Sequence, residues 1–415
     1  MNVIRHIGAY LLLVSIYGFT WLVAVVGGAI PRRRWKPNGR ILVTGTFFNP
    51  NWYLSHITPL SRSGVKEVIV VTDKAQLPLE RVRFVCWPRW ASWLFSRPLA
   101  RAIWVTLAGL HYRPDLYMGY HLGPGACTAL VVGKIMGRPT CYQMTGGPVE
   151  IIGGGIGAAE GIGAHLRRPS KTIETMALAV VRLFELVVVR GNKAKEFLAI
   201  HGIRRSVTII TGSVNSGLQL PKKERDIHLI FAGRLSPIKQ VDQFIAIVKA
   251  VKCTVSDVHA VIVGDGPLKS DLQARTTQLG LTRNIEFLGQ RQDVEAFLAR
   301  SRVFVLTSKS EGLSIAMAEA MAAGVVPVVA NIGELSDLVH DNVNGHIIEP
   351  GNISEYARKA VSLLQNDVLW SQYSCKANEV ARKHCDIKVV SEKWCHHLQD
   401  VISQESRCHY QEAFK

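Results

Sequence analysis

The 415-residue chain is most informative first in what it lacks. No two aspartates flank a single residue, so the Asp-x-Asp carboxylate pair that would suit a divalent cation is missing. Its eight cysteines, at positions 86, 127, 141, 253, 375, 385, 395 and 408, form no C-x-x-C pair. Reduced thiols are the expectation. The tail holds Cys395-His396-His397 between Cys385 and Cys408-His409, but those gaps are too long and irregular for a standard zinc site. No metal and no other cofactor is expected. Acidic residues are scarce, 32 against 49 Lys and Arg, which leaves a net charge of +17. No RNP-like segment, zinc-finger spacing or basic recognition helix accompanies that charge, which argues against nucleic acid and for an anionic membrane surface or acidic ligands.

Charge is absent altogether from residues 7 to 30, IGAYLLLVSIYGFTWLVAVVGGAI. At 1.5 Å per residue such a run is long enough for a bilayer core of about 30 Å. Arg32, Arg33, Arg34, Lys36 and Arg40 follow it, and only Arg5 precedes it. The positive-inside rule then expects a single pass through the cytoplasmic (inner) membrane, with the catalytic part in the cytoplasm. A cleaved signal peptide is the rival, helped by Gly27, Gly28 and Ala29; the long apolar run and weakly basic start favour a retained anchor. Residues 86 to 104, CWPRWASWLFSRPLARAIW, mix Trp87, Trp90, Trp93 and Trp104 with Arg89, Arg97 and Arg101 and no acid. That mixture suits a headgroup zone, or else a core helix with inward aromatics.

Short apolar runs separated by helix-length stretches recur along the rest of the chain, from RILVTG (40–45) to GHIIEP (345–350). They indicate βαβ units and parallel sheets, whose ligands bind at the carboxyl ends of the strands. Length allows two such domains. The polar, glycine-bearing stretch TGSVNSGLQLPKKERD (211–226) reads as the boundary between them. Boundaries are expected at 1–36 for the anchor, 37–213 for the first domain, 214–226 for the linker, 227–385 for the second domain and 386–415 for a C-terminal helix and tail.

The densest signal is VFVLTSKSEGLSIAMAEAMAAGVVPVVA (303–330). Glu311 lies in a strand-to-helix loop, and Glu319 lies eight positions on, within a helix of small apolar residues. A carboxylate there costs several kcal/mol unless something hydrogen-bonds it, and a ribose or sugar diol is an apt donor. Ser314 is a reasonable N-cap, and Gly312 lets a ligand approach backbone N–H groups that favour phosphate. A capped structural helix with one satisfied Glu is the plain alternative. Arg234 and Lys239, in FAGRLSPIK, follow a strand and suit a diphosphate, unless they are solvated loop cations. Gly264 and Gly266, in the turn VGDGPL at a strand's carboxyl end, are candidate donor-binding residues, although GDGP alone is a weak signal.

Together GRLSPIK, VGDGP, IEFLGQ, the E-x7-E pair and VNGHIIEPGN, in that order, resemble the nucleotide-sugar-binding domain of the retaining glycosyltransferases of family 4 (glycosyl transferases group 1). The resemblance covers about Leu229 to Asn352 strongly and the first half loosely. It implies an α/β chain of two Rossmann-like domains facing a cleft, the GT-B fold, here preceded by one N-terminal transmembrane helix. It also implies that Arg234 and Lys239 hold the diphosphate of a UDP- or GDP-sugar, that Glu311 contacts the donor sugar and that Glu319 holds the ribose. Gly312, Leu313 and Ser314 would lie near sugar and phosphate, Gln290 and Arg291 near the base, and Gly45 near the phosphates. His121 and Thr145 fall on the acceptor side; Thr145 stands where many members carry a histidine, which puts a role for such a His in doubt here.

The implied activity is transfer of a sugar to a lipid-linked or glycan acceptor at the cytoplasmic leaflet, by a retaining mechanism with cationic stabilisation of the leaving diphosphate. Two alternatives remain: a catalytically inactive donor-binding partner in a membrane complex, and a nucleotide-sugar epimerase of the same fold. The glycine-rich segment 153–163 reads as a mobile cleft loop or a plain surface loop.

Overall fold

The computed structural model describes residues 2–31, 38–47, 50–157, 162–215 and 225–412, and side chains within these except at 2–4 and 400–412. Most of the expected linker, and residues 158–161 of the glycine-rich segment, lie outside the described residues. The chain divides into two compact units, Met1–Ser213 with Val390–Lys415, and Val214–Val389.

The first unit begins with helix α1 (Asn2–Gly27) and continues β1 (Arg40–Thr44), α2 (Pro50–Ser61), β2 (Glu67–Thr72), β3 (Val82–Cys86), α3 (Arg89–Tyr112), β4 (Leu116–Tyr120) and α4 (Cys127–Ile135). Then come β5 (Thr140–Met144), α5 (Lys171–Val181), β6 (Leu186–Val189), α6 (Asn192–Ile200) and β7 (Val207–Ile209). All its strand pairs are parallel, in the order β3-β2-β1-β4-β5-β6-β7. The strands are apolar on both faces because both are covered. Leu42, Ile69, Val71 and Tyr117 pack with residues of α3 and α4, while Ile41, Val43, Val68 and Met118 pack on the other side with α2. Val390, Trp394 and Leu398 close that second side.

The second unit runs β8 (Ile227–Ala232), α7 (Val241–Lys252), β9 (Ala260–Val263), α8 (Lys269–Gln278), β10 (Ile285–Gly289), α9 (Val294–Ala299) and β11 (Ser301–Leu306). It finishes with α10 (Ile315–Ala322), β12 (Val326–Ala330), β13 (His346–Ile348), α11 (Ile353–Gln365) and α12 (Asp367–Cys385), after which α13 (Ile387–Glu412) begins. Its sheet is also parallel, in the order β10-β9-β8-β11-β12-β13. In each unit the strand order reverses once, between β1 and β4 and between β8 and β11. Loops diverge at such a switch point and leave a crevice at the strand carboxyl ends.

Helix α1 contains the one stretch among the described residues, Arg5–Gly27, that is long and apolar enough to cross a membrane. It is not free of the domain. Ala9, Leu13, Tyr17 and Ala24 are buried in one cluster with Leu130 of α4 and Ile173 and Ala177 of α5. Its opposite side exposes Leu11, Leu12, Phe19, Leu22 and Val26. The Trp-rich stretch forms α3, kinked at Ser96 two residues before Pro98. Trp87 is buried, whereas Trp90 and Trp93 are exposed. Arg101 departs from the headgroup reading: it is buried, and its Nη2 donates to the Gly45 carbonyl (3.4 Å) and to Thr46 Oγ1 (3.0 Å). Desolvation holds its pKa down at about 10.

Candidate functional site

In the second unit the loops after β8 and β11 are tied to each other at the switch point. Thr307 Oγ1 donates to the Lys239 and Gln240 carbonyls (3.2 and 3.0 Å), and Lys309 N–H donates to the Ile238 carbonyl (2.8 Å). Within that clasp Lys239 Nζ lies 2.5 Å from Glu311 Oε1, which also accepts from Ser308 Oγ at 2.6 Å. Lys239 and Glu311, read separately from sequence, are therefore one ion pair, with both side chains largely shielded at 22% and 10% exposure. Pairing fixes two otherwise floppy groups, so little rotamer entropy remains to be lost when a ligand arrives. Arg234 stands exposed two residues beyond β8.

The loop after β12 supports Glu311 from behind. Glu334 N–H donates to the Gly312 carbonyl (3.0 Å), and a Cβ on Gly333 would lie 2.0 Å from the Glu311 carbonyl. Only glycine allows that approach, and Gly333 escapes a reading of the sequence because nothing beside it points to Glu311, 22 positions earlier. Past the loop, Ser314 caps α10 by accepting from Met317 N–H (3.3 Å). The first turn of α10 thus aims backbone N–H groups and the positive dipole end toward the Lys239–Glu311 pair's side of the sheet.

Glu319 sits further along α10, among the buried Met317, Ala318, Ala320 and Met321. Among the described residues no protein donor hydrogen-bonds its carboxylate. Burial pushes its pKa up to about 7, and the charge of Glu295 adds to the rise. A partly shielded carboxylate of this kind can accept from hydroxyl donors that reach it.

Gly264 and Gly266 serve the backbone. A Cβ on Gly264 would stand 1.9 Å from the Gly233 carbonyl oxygen, and one on Gly266 2.3 Å from the Leu235 carbonyl oxygen. Their loop hydrogen-bonds the β8 loop through Gly233 N–H to Val263 O and Leu235 N–H to Asp265 O, both 2.9 Å. The two glycines let the Arg234 loop lie flat against its neighbour. Gly264→Ala is expected to cost more than about 3 kcal/mol or to force the loops apart, as read from urea unfolding. Gln290 and Arg291 lie at the end of β10, two strands from the switch point, with Arg291 in a bidentate pair to Asp293 (2.8 Å each).

The first unit assembles a second group at its own switch point. Gly45 follows β1, and a Cβ there would meet Tyr120 Cβ at 2.8 Å. His121 follows β4 at φ 58°, ψ 143°, a conformation that costs any residue with a Cβ. Its Nδ1 lies 3.2 Å from Glu150 Oε1, and Thr145 Oγ1 stands 3.1 Å from the same nitrogen. Trp52 lies nearly parallel to the imidazole at 6.0 Å. Sequence reasoning missed Glu150, because nothing local links it to His121. Its carboxylate is saturated: Gly146 N–H (2.6 Å), Leu122 N–H (3.1 Å) and Tyr142 O–H (2.7 Å) also donate to it. Burial raises its pKa, but the His121 charge and these hydrogen bonds outweigh burial and hold the carboxyl below its ordinary value. Glu150→Gln would set an amide against two N–H donors. A loss of about 1–3 kcal/mol in urea unfolding is expected, and clearly less for His121→Gln at the half-exposed ring.

Part of the glycine-rich segment is pinned. Gly153 N–H donates to Glu174 Oε2 (2.7 Å), and a Cβ on Gly154 would meet Ile173 and Leu166 at 3.0 Å. There the glycines serve close packing on α5 instead of mobility.

Residues 218–384 match the model of the family described as glycosyl transferases group 1. Over 164 residues the chain is 32% identical to a poly(ribitol-phosphate) alpha-N-acetylglucosaminyltransferase of Staphylococcus aureus, covering 39% of this chain and 33% of that protein. It is 31% identical over 172 residues to an Escherichia coli UDP-Gal:alpha-D-GlcNAc-diphosphoundecaprenol alpha-1,3-galactosyltransferase, covering 41% and 42%. The chain thus spans less than half the length of either relative. The crystal structure of Anabaena HepE in complex with UDP and glucose superposes with a TM-score of 0.68 at 20% identity, covering 87% of this chain and 99% of that one. That likeness gives the fold: two parallel-sheet α/β domains of the GT-B type. The Lys239–Glu311 pair and Glu319 lie within residues 218–384, the stretch of the second unit that the glycosyl transferases group 1 model matches.

Proposed function

We propose that this chain is a glycosyltransferase moving a sugar from a UDP- or GDP-sugar to a lipid-linked or glycan acceptor at the cytoplasmic leaflet. The observation that carries the reading is Glu319, a carboxylate without a protein donor among the described residues, on the helix whose capped N-terminus follows the Lys239–Glu311 clasp. Two ribose hydroxyls satisfy it, as two O–H donors to two oxygens. Arg234 and Lys239 then meet the diphosphate, Glu311 meets the donor sugar, and the N–H groups of Gly312, Leu313 and Ser314 meet sugar and phosphate. Gln290 and Arg291 flank the base.

The chemistry follows from those positions. Breaking the bond between sugar and diphosphate loads negative charge onto the leaving oxygen. Fixed cations and a helix dipole stabilise that charge more than they stabilise the neutral sugar. They do so without a metal. Retention follows if the acceptor hydroxyl attacks the face the diphosphate leaves and surrenders its proton to that phosphate, with no protein nucleophile. His121, oriented by Glu150, and Thr145 serve the acceptor side. The membrane enters through the apolar surfaces of α1 and α3 and the excess of cations, which favour a lipid-borne acceptor over a soluble one.

The test is transfer itself. Full-length protein in mild detergent, given radiolabelled UDP-glucose, UDP-N-acetylglucosamine, UDP-galactose or GDP-mannose and a total lipid extract, should move label from one donor into the butanol phase. Binding of a nucleotide without transfer from any donor would favour the non-catalytic partner.

A further inference from the structure

We propose that α1 lies in the plane of an anionic bilayer surface instead of crossing the bilayer, and forms with α3 a single apolar docking face edged by cations. The inference rests on the membrane association proposed above and concerns how that association is made.

Helix α1 is held to the first unit along its length. Near its start His6 Nδ1 accepts from Arg167 N–H at 3.1 Å. Mid-helix, a Cβ on Gly18 would touch Met176 of α5 at 3.5 Å. At its end, one on Gly27 would lie 3.0 Å from Lys134 Cβ of α4. A crossing α1 kept in this packing would carry α5 and its flanks into hydrocarbon, with Lys171 and Arg182 exposed on them. Charged groups at membrane depth cost several kcal/mol each. A crossing α1 that let go would open the cluster of Leu130, Ile173 and Ala177 to water. Lying flat avoids both costs.

The outward surface fits an interface. Phe19 and Val26 of α1 are 63% and 66% exposed, and Trp93 of α3 is 87% exposed beside Trp90 and Leu94. Helices α3 and α4 cover one face of the sheet, and α1 packs over α4 and α5, so these side chains lie on one side of the unit. Neither α1 nor α3 contains an Asp or Glu, although the chain has 32. Arg5, Arg89 and Arg97 are exposed on the two helices. At the end of α1 a shallow depression, whose lining includes Ala24, Val25, Lys134, Arg182 and Glu185, brings the exposed Arg182 guanidinium beside the apolar stripe, while Lys134 is paired with Glu185. Asp73 lies 4.0 Å from Arg97, but the two helices themselves present aromatic and cationic side chains and no acid, which matches an anionic headgroup region.

Full-length protein carrying an epitope tag at each end, in membrane vesicles whose cytoplasmic face points outward, decides the orientation. External protease should remove both tags; removal of the C-terminal tag with the N-terminal tag protected would overturn the in-plane arrangement alone. Flotation with vesicles tests the face. Binding should be at least tenfold stronger with phosphatidylglycerol present than with phosphatidylcholine alone. Trp93→Ser with Leu94→Ser should weaken it about tenfold while leaving the urea unfolding midpoint unchanged. Absence of flotation, with or without self-association of the protein in sedimentation, would overturn both the docking face and the membrane part of the proposed function.

Discussion

Lys239→Ala should lower turnover with the accepted nucleotide sugar by about 10²- to 10³-fold, the range seen when one preorganised charge-stabilising donor is removed from a transition state. Two losses combine. The departing diphosphate loses a cation, and Glu311 is left as a shielded carboxylate with Ser308 Oγ as its one remaining donor among the described residues. Glu311→Gln separates them, because it keeps the cation and removes the unpaired charge. Double-variant kinetics should be far from additive, since the two side chains form one unit. A merely structural Lys239 would instead lower the unfolding midpoint and leave kcat of the folded fraction unchanged.

Glu319→Gln should act in opposite directions on stability and on binding. In the free protein the carboxyl titrates near 7 when folded, against about 4.3 when unfolded. The folded state therefore holds the proton more tightly, and stability falls as pH rises from roughly 4 through 7. Removing the charge abolishes that decline. Above pH 7 the glutamine variant should be more stable than the parent by about 2 kcal/mol, after allowing for partial exposure of the site. For a nucleotide the sign reverses. Ribose hydroxyls donate to the ionised form, so affinity for the free nucleoside diphosphate should fall as pH drops below 7. In the variant it should be weaker by roughly 30- to 1,000-fold, which corresponds to about 2–4 kcal/mol. Calorimetric titration across pH 5.5 to 8.5 checks both. A packing residue would not stabilise the free protein while weakening its ligand.

The parallel strands could be read from the sequence because a strand buried on both faces must be apolar throughout, and runs such as HLIFAG, HAVIVG and VFVLTS are too short and too rich in β-branched residues for buried helices. The pairing of Lys239 with Glu311 could not, since they are 72 positions apart and only the strand order β8-β11 makes them neighbours. Glu150 was hidden for the same reason, 29 positions from His121. Helix α1 shows a different limit. An apolar run reports that water is excluded from one side, and it cannot tell lipid from α4 and α5. Arg101 looked like its neighbours Arg97 and Arg89 by composition, yet its place on α3 turns it toward the Gly45 loop. A glycine such as Gly264 suits a ligand-facing loop and a tight backbone contact equally well, so its approach to the Gly233 carbonyl is not legible in the sequence.

The central claim is that the second unit holds a nucleoside diphosphate between the clasped Lys239–Glu311 loops and Glu319. Thermal unfolding of the full-length protein in mild detergent with UDP, GDP and ADP, beside Glu319→Gln, tests it most directly. One nucleotide at about 100 times its dissociation constant should add roughly 2.7 kcal/mol to the parent, and much less to the variant at the same concentration. Stabilisation by none of the three, or an equal gain in the variant, would contradict the account.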